Sequence, residues 1–189
     1  MERNSLKELK SEIQTQAKNG IDFIISGGIL WLLIFFIWLQ DFTSYNKSIF
    51  TFIAAAIMPP LAFGFSKVLK TNWKIKDNPL QPLGLWLNFA QLIYFPILIF
   101  VLINDPDNFI MAYAIITGAH LFPYAWFYDE IGYAIAAILI SVGSFVIALA
   151  ANPTMIWLIP LYTSGALSIL AIWIFVRLKK TYPVGVAAC

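Results

Sequence analysis

A chain of 189 residues with 60% hydrophobic and 12% charged side chains and a mean hydropathy of +0.78 is not a soluble globule, which carries about a quarter charged residues. The net charge of +2 offers no basic field for nucleic acid. The single cysteine, Cys189, excludes an internal disulfide and a thiolate metal site, and as the last residue it is not in a prenylation context.

Residues 1–20 are polar. Ser5 and Glu8 have capping-box spacing, and Leu6, Leu9, Ile13 and Ala17 recur at helical period. With Asn19-Gly20 as a C-terminal stop, this predicts a short amphipathic helix on the membrane surface. The apolar run that follows is too long for a signal peptide and lacks a small-residue cleavage site. Six apolar segments follow, at 21–39, 48–66, 83–103, 108–127, 131–150 and 153–176. Each has the roughly 20 residues an α-helix needs to cross the hydrocarbon. Helices are required there because lipid offers no partner to open backbone groups, and the short alternating segments of a barrel are absent. The expected fold is an all-α integral membrane bundle of six transmembrane helices. Its expected parts are an N-terminal segment at 1–20, a transmembrane domain at 21–176 and a tail at 177–189.

Lysine and arginine orient it. Arg3, Lys7, Lys10, Lys18, Lys67, Lys70, Lys74, Lys76, Arg177, Lys179 and Lys180 fall on one side, and Lys47 alone on the other. The positive-inside rule places both termini in the cytoplasm. Tryptophans and tyrosines near span ends, Trp73, Trp126 and Trp173 among them, read as an aromatic belt. The pairs Ala114/Gly118, Gly132/Ala136 and Ser164/Ser168 read as close helix contacts.

Polarity inside the spans is concentrated toward the lysine-rich side. At about 1.5 Å per residue, Ser26, Pro59-Pro60, Asn88, Gln91, His120 and Ser168 lie in the inner half. The outer halves are almost wholly apolar, as in the run 29–39. Prolines 59, 60, 96, 123 and 160 fall inside spans, where each removes a helical hydrogen bond and frees an upstream carbonyl. For Pro123 that carbonyl belongs to Ala119, beside the only histidine. His120, Tyr124 and Tyr128 share one helix face. With Asn88 and Gln91 they make a candidate ligand-binding cavity open to the cytoplasm, with Asp129 and Glu130 at its mouth. The bland alternative is a histidine that fixes packing through an interhelical hydrogen bond, worth around 1 kcal/mol. Asp22 and Arg177, at the boundaries of spans one and six, read as interfacial anchors or a pair. No nucleotide, phosphate-loop or zinc-hydrolase motif and no nucleophilic triad is present, so the sequence calls for no cofactor, metal or catalytic residue.

The segment His120-Leu121-Phe122-Pro123-Tyr124-Ala125-Trp126-Phe127-Tyr128 resembles a His-Leu-x-Pro-aromatic-x-Trp-x-Tyr pattern in a family of small polytopic bacterial membrane proteins of unknown function. The resemblance implies a bacterial plasma-membrane protein and assigns no activity and no site residue. The functional expectation is binding or transport of a small solute or ion. A non-catalytic structural or regulatory membrane subunit is the alternative, and an intramembrane enzyme the third. The partners expected are the bilayer and that solute, with homo-oligomerisation left open.

The charge split predicts that residues 47 and 105 face outside and residues 70 and 179 the cytoplasm. Single cysteines at these positions, in a Cys189→Ser background, are to be labelled on intact cells with an impermeant thiol reagent. Labelling at 47 and 105 alone is expected, and labelling at 70 with none at 105 would reverse the orientation.

Overall fold

The computed structural model describes residues 5–181. Arg3 and the tail beyond 181, including Cys189, lie outside them. Within the described residues the regular structure is helical, without a strand. The helices are α1 (Leu6–Ala17), α2 (Ile21–Trp38), α3 (Ser44–Ala55), α4 (Met58–Leu69), α5 (Gln81–Ile93), α6 (Phe95–Asn104), α7 (Phe109–Phe127), α8 (Ile131–Ala150) and α9 (Leu158–Thr181). Among the described residues, six helical stretches are long and apolar enough to cross a membrane. They end in or consist of α2, α3–α4, α5–α6, α7, α8 and α9. This is the expected all-α membrane bundle.

The prolines act unequally. At Pro59-Pro60 two adjacent N–H groups are missing, so the second span breaks into α3 and α4 at Ala56-Ile57. The turn tightens there: Ile57 N–H donates to Ala54 C=O at 2.9 Å. Pro96 breaks the third span at Tyr94 in the same way. Pro160 falls in the first turn of α9, where its missing N–H has no intrahelical partner to lose. Pro123 lies within α7, which runs through it unbroken.

Small residues set the closest contacts. A Cβ at Gly118 would lie 2.5 Å from Ser141 Oγ and 3.0 Å from the Ala137 carbonyl, so α7 and α8 touch at their backbones. A Cβ at Gly132 would lie 3.0 Å from the Trp173 ring, which joins α8 to α9. Ser164 Oγ donates to Gly28 C=O at 2.8 Å, which joins α9 to α2. One residue of each small-residue pair read from the sequence, Gly118, Gly132 and Ser164, therefore sits at a helix contact. Trp31 of α2 meets Tyr113 of α7 across the middle of the bundle, with ring centroids 5.1 Å apart. The α5–α6 span is peripheral: only 6% of its apolar window is buried within the protein. It is held at its start by Gly84, where a Cβ would stand 3.0 Å from Phe127 of α7.

The capping box of α1 is present: Ser5 N–H donates to Glu8 Oε2 at 2.8 Å, and Glu8 N–H to Ser5 Oγ at 3.3 Å. The helix ends at Lys18, which opens a run of three left-handed residues, Lys18, Asn19 and Gly20, with φ of 46°, 51° and 66°. That run turns α1 across the lysine-rich end of the bundle. The sequence reading gave the apolar face of α1 to lipid; in the structure its centre, Ile13, is buried against the protein. The segment 70–80 and the α7–α8 turn supply both an apolar seat and hydrogen-bonding partners. Asn78 Nδ2 donates to Leu9 C=O and to Glu12 Oε2, both at 2.9 Å. Asn72 Nδ2 donates to Gln16 Oε1 at 2.7 Å, and Lys10 Nζ stands 3.8 Å over the Trp126 ring.

Candidate functional site

The site is built from the C-terminal half of α7. Spacing of four residues stacks His120, Tyr124 and Tyr128 on one face. Their rings follow one another, with centroids 5.3 Å apart for His120–Tyr124 and 5.7 Å for Tyr124–Tyr128. Tyr133, from the first turn of α8, closes a triangle at 5.8 Å from Tyr124 and 5.7 Å from Tyr128. Phe127 packs edge-on against Tyr128 at 4.9 Å. The three tyrosines are buried and His120 is half-buried on their flank.

The hinge behind α1 forms the cover. Tyr133 O–H donates to Asn19 C=O at 2.5 Å, and Gln14 Nε2 donates to Tyr128 C=O at 2.8 Å. The Tyr128 phenol lies 2.9 Å from where a Cβ on residue 20 would be, so Gly20 is required by contact as well as by its positive φ. Burial, with Tyr124 and Asp22 nearby, pushes the Tyr128 phenol up. Two buried polar atoms in this group have no hydrogen-bond partner: the Tyr124 hydroxyl and Asn19 Oδ1. Thr117 Oγ1, about one turn from His120 on α7, is a third.

Two buried carboxylates flank the tyrosines. Asp22, 1% exposed, accepts from Thr71 Oγ at 2.6 Å and Trp73 Nε1 at 2.7 Å. It stands in the first turn of α2, where the helix dipole favours negative charge. Glu130, 2% exposed, accepts from Arg177 Nη1 and Trp173 Nε1, each at 2.9 Å. Arg177 is therefore paired with Glu130 rather than with Asp22. Trp73 and Trp173 each bind a buried carboxylate, beyond the belt role their positions suggested.

The sequence-derived residues fall into three groups. His120, Tyr124 and Tyr128 come together as spaced. Asn88 is half-buried and spends its amide on Gly84 C=O of its own helix at 3.0 Å. Gln91 and His120 each lie seven residues beyond the Gly84–Phe127 contact on antiparallel helices, so both are at the same depth, about 10 Å. Asp129 and Glu130 separate: Asp129 is exposed at φ 49°, and Glu130 turns inward to its ion pair. Asn19, Thr71 and Tyr133 were missed, and Asp22 was read only as an interfacial anchor or a partner for Arg177. The available signal was Asp22, a lone carboxylate within the first apolar segment. Among the described residues no three His, Cys, Asp or Glu side chains are placed to hold a metal ion.

The model of a family of unknown function, DUF7010, matches residues 6–177. The chain belongs to this family. The match runs from the first residue of α1 to Arg177, so in this DUF7010 protein the cover, both carboxylates and the tyrosine triangle lie within the family unit. Comparisons with curated proteins and with solved structures return no match.

Asp22→Ala in this DUF7010 protein leaves the Trp73 N–H and Thr71 O–H without their acceptor, at a cost of about 1–3 kcal/mol for each stranded group. A clear fall in melting temperature in detergent is expected. Arg177→Met leaves Glu130 a buried carboxylate without its cation, so a fall of comparable size is expected although the Trp173 and Gly132 donors remain. An unchanged melting temperature for Asp22→Ala would contradict the assigned tie.

Proposed function

We propose that this is a plasma-membrane protein with both termini in the cytoplasm, and that it binds or transports a small solute or ion at its lysine-rich end. The proposed site is the face of His120, Tyr124 and Tyr128, with Tyr133 and Asn19 completing it, and Asn88 and Gln91 lining the α5 side. The observation that carries the reading is the pair of buried orphan atoms, the Tyr124 hydroxyl in the aromatic cluster and Oδ1 of Asn19, whose backbone carbonyl Tyr133 holds. Native proteins satisfy buried polar groups, with ordered water or ligand where protein does not. A donor and an acceptor without protein partners suit a small hydrogen-bonding guest.

Access from the cytoplasm passes α1. The bonds that hold α1, from Gln14, Gln16, Lys18 and Asn78, are to groups that water serves equally well, so opening it strands little. The residues 18–20 are the place for the turn.

The second reading, a non-catalytic structural or regulatory subunit, is favoured by the mutual packing of Tyr124, Tyr128, Tyr133 and Phe127. In that case the cluster is dry. Single cysteines at 91, 120 and 124 in a Cys189→Ser background, probed from the cytoplasmic side with a small thiol reagent, separate the two. The proposal expects labelling at 120 and 124. It also expects Tyr124→Phe to melt at or below the wild-type temperature, because the hydroxyl holds water or solute. A dry cluster would instead gain about 1–3 kcal/mol on losing an unpartnered hydroxyl. Silence at all three positions together with a raised melting temperature would move the assignment to the structural subunit.

A further inference from the structure

At the lysine-poor end, the last turns of α6 and α8 and the first turn of α7 enclose a cavity of about 370 Å³. That is within the range of ligand pockets, roughly 300–1,000 Å³. Its walls are apolar, with Met111, Ala112, Phe145, Ala148 and Leu149 among them, and its polar rim is Asp105 with Asn108. Leu149 is 71% exposed and Phe145 46%, so the cavity opens sideways from the bundle, toward the bilayer that surrounds a spanning helix. Asp105 accepts from Asn108 Nδ2 at 2.7 Å and has no cationic partner among the described residues. The neighbouring charges at this end are Asp41, Asp107 and Lys47, and Lys47 donates to Trp38 C=O at 3.2 Å. A slot with an apolar floor, a lateral opening and a lone carboxylate at the depth of the headgroups matches an acyl chain joined to a cation.

We infer that this cavity is a binding site for a phospholipid with a primary ammonium headgroup, the chain lying between α6, α7 and α8 and the ammonium on Asp105. A second cavity at the same end supplies the comparison. It measures about 470 Å³ between α2 and α3–α4, is lined by Phe36, Phe42, Phe50 and Ile53, and has no charged residue in its lining. Gln40 at its edge donates its amide to Phe36 C=O of its own helix at 3.0 Å. That cavity takes an acyl chain without choosing a headgroup.

The test is retention of defined lipids by the full-length protein. Delipidated protein is incubated with equimolar phosphatidylethanolamine and phosphatidylglycerol of identical chains, and bound lipid is read by native mass spectrometry. Asp105→Asn keeps an acceptor for Asn108 and removes the charge. It should lower the ratio of ethanolamine to glycerol lipid about fivefold, the size an exposed ion pair carries. Asp107→Asn, exposed and outside the cavity, should leave the ratio unchanged. Ala148→Phe, which fills the slot, should remove the excess of ethanolamine over glycerol lipid and keep the share of both held elsewhere. An unchanged ratio in Asp105→Asn overturns the site. An equal fall in Asp107→Asn also overturns it, because a diffuse negative potential would then account for the preference. If Asp105→Asn melts early, Ala148→Phe decides: an undiminished ethanolamine-to-glycerol ratio in that variant rejects the cavity.

Discussion

A carboxylate buried where a membrane span begins must be given its donors by the protein, and Asp22 organises the lysine-rich end on that condition. Water cannot reach it, and an unserved buried charge costs several kcal/mol. Thr71 and Trp73 supply the donors, so the segment after α4 is drawn back over the start of α2. With that segment in place, Asn72 and Asn78 hold α1, and α1 lies over the tyrosine triangle. Glu130 repeats the device on the other flank, fixing the α7–α8 turn to α9 through Trp173 and Arg177. Between the two ties the backbone at 18–20 takes its left-handed course, and Asn19 and Gly20 are pressed against Tyr133 and Tyr128.

The two ends of the bundle are therefore built on different physics. At the lysine-rich end, hydrogen bonds to buried groups fix the geometry, and Tyr124 and Asn19 carry buried atoms without a protein partner. At the other end the helices separate around apolar clefts that lipid can fill. The broken spans belong to the same division. Both α3–α4 and α5–α6 are divided near their middle by prolines, while α7 and α8 run whole and in backbone contact.

Much of the fold was legible because a bilayer imposes one length on every crossing. The segments at 21–39 and 131–150 match α2 and α8 nearly to the residue. Gly118 and Gly132 were legible as contacts because small residues four apart on an apolar helix have few other uses. The face of His120, Tyr124 and Tyr128 followed from spacing alone. What spacing cannot give is the partner across the chain. Asp22 meets residues about fifty positions away, and Tyr133 reaches back to Asn19 over 114. Glu130 turned inward because Asp129 adopts a left-handed backbone, a choice that neither residue type announces. Trp73 and Trp173 were hidden by a true generality, since indoles collect at interfaces whether or not they hold a carboxylate.

The account rests on a guest, water or solute, at the two orphan atoms of the tyrosine cluster. An experimental density map of the protein in lipid, at a resolution that shows ordered water, tests this directly. The account predicts non-protein density within hydrogen-bond distance of the Tyr124 hydroxyl and of Asn19 Oδ1. Side chains closed onto both atoms, with protein partners for each and no such density, would contradict it.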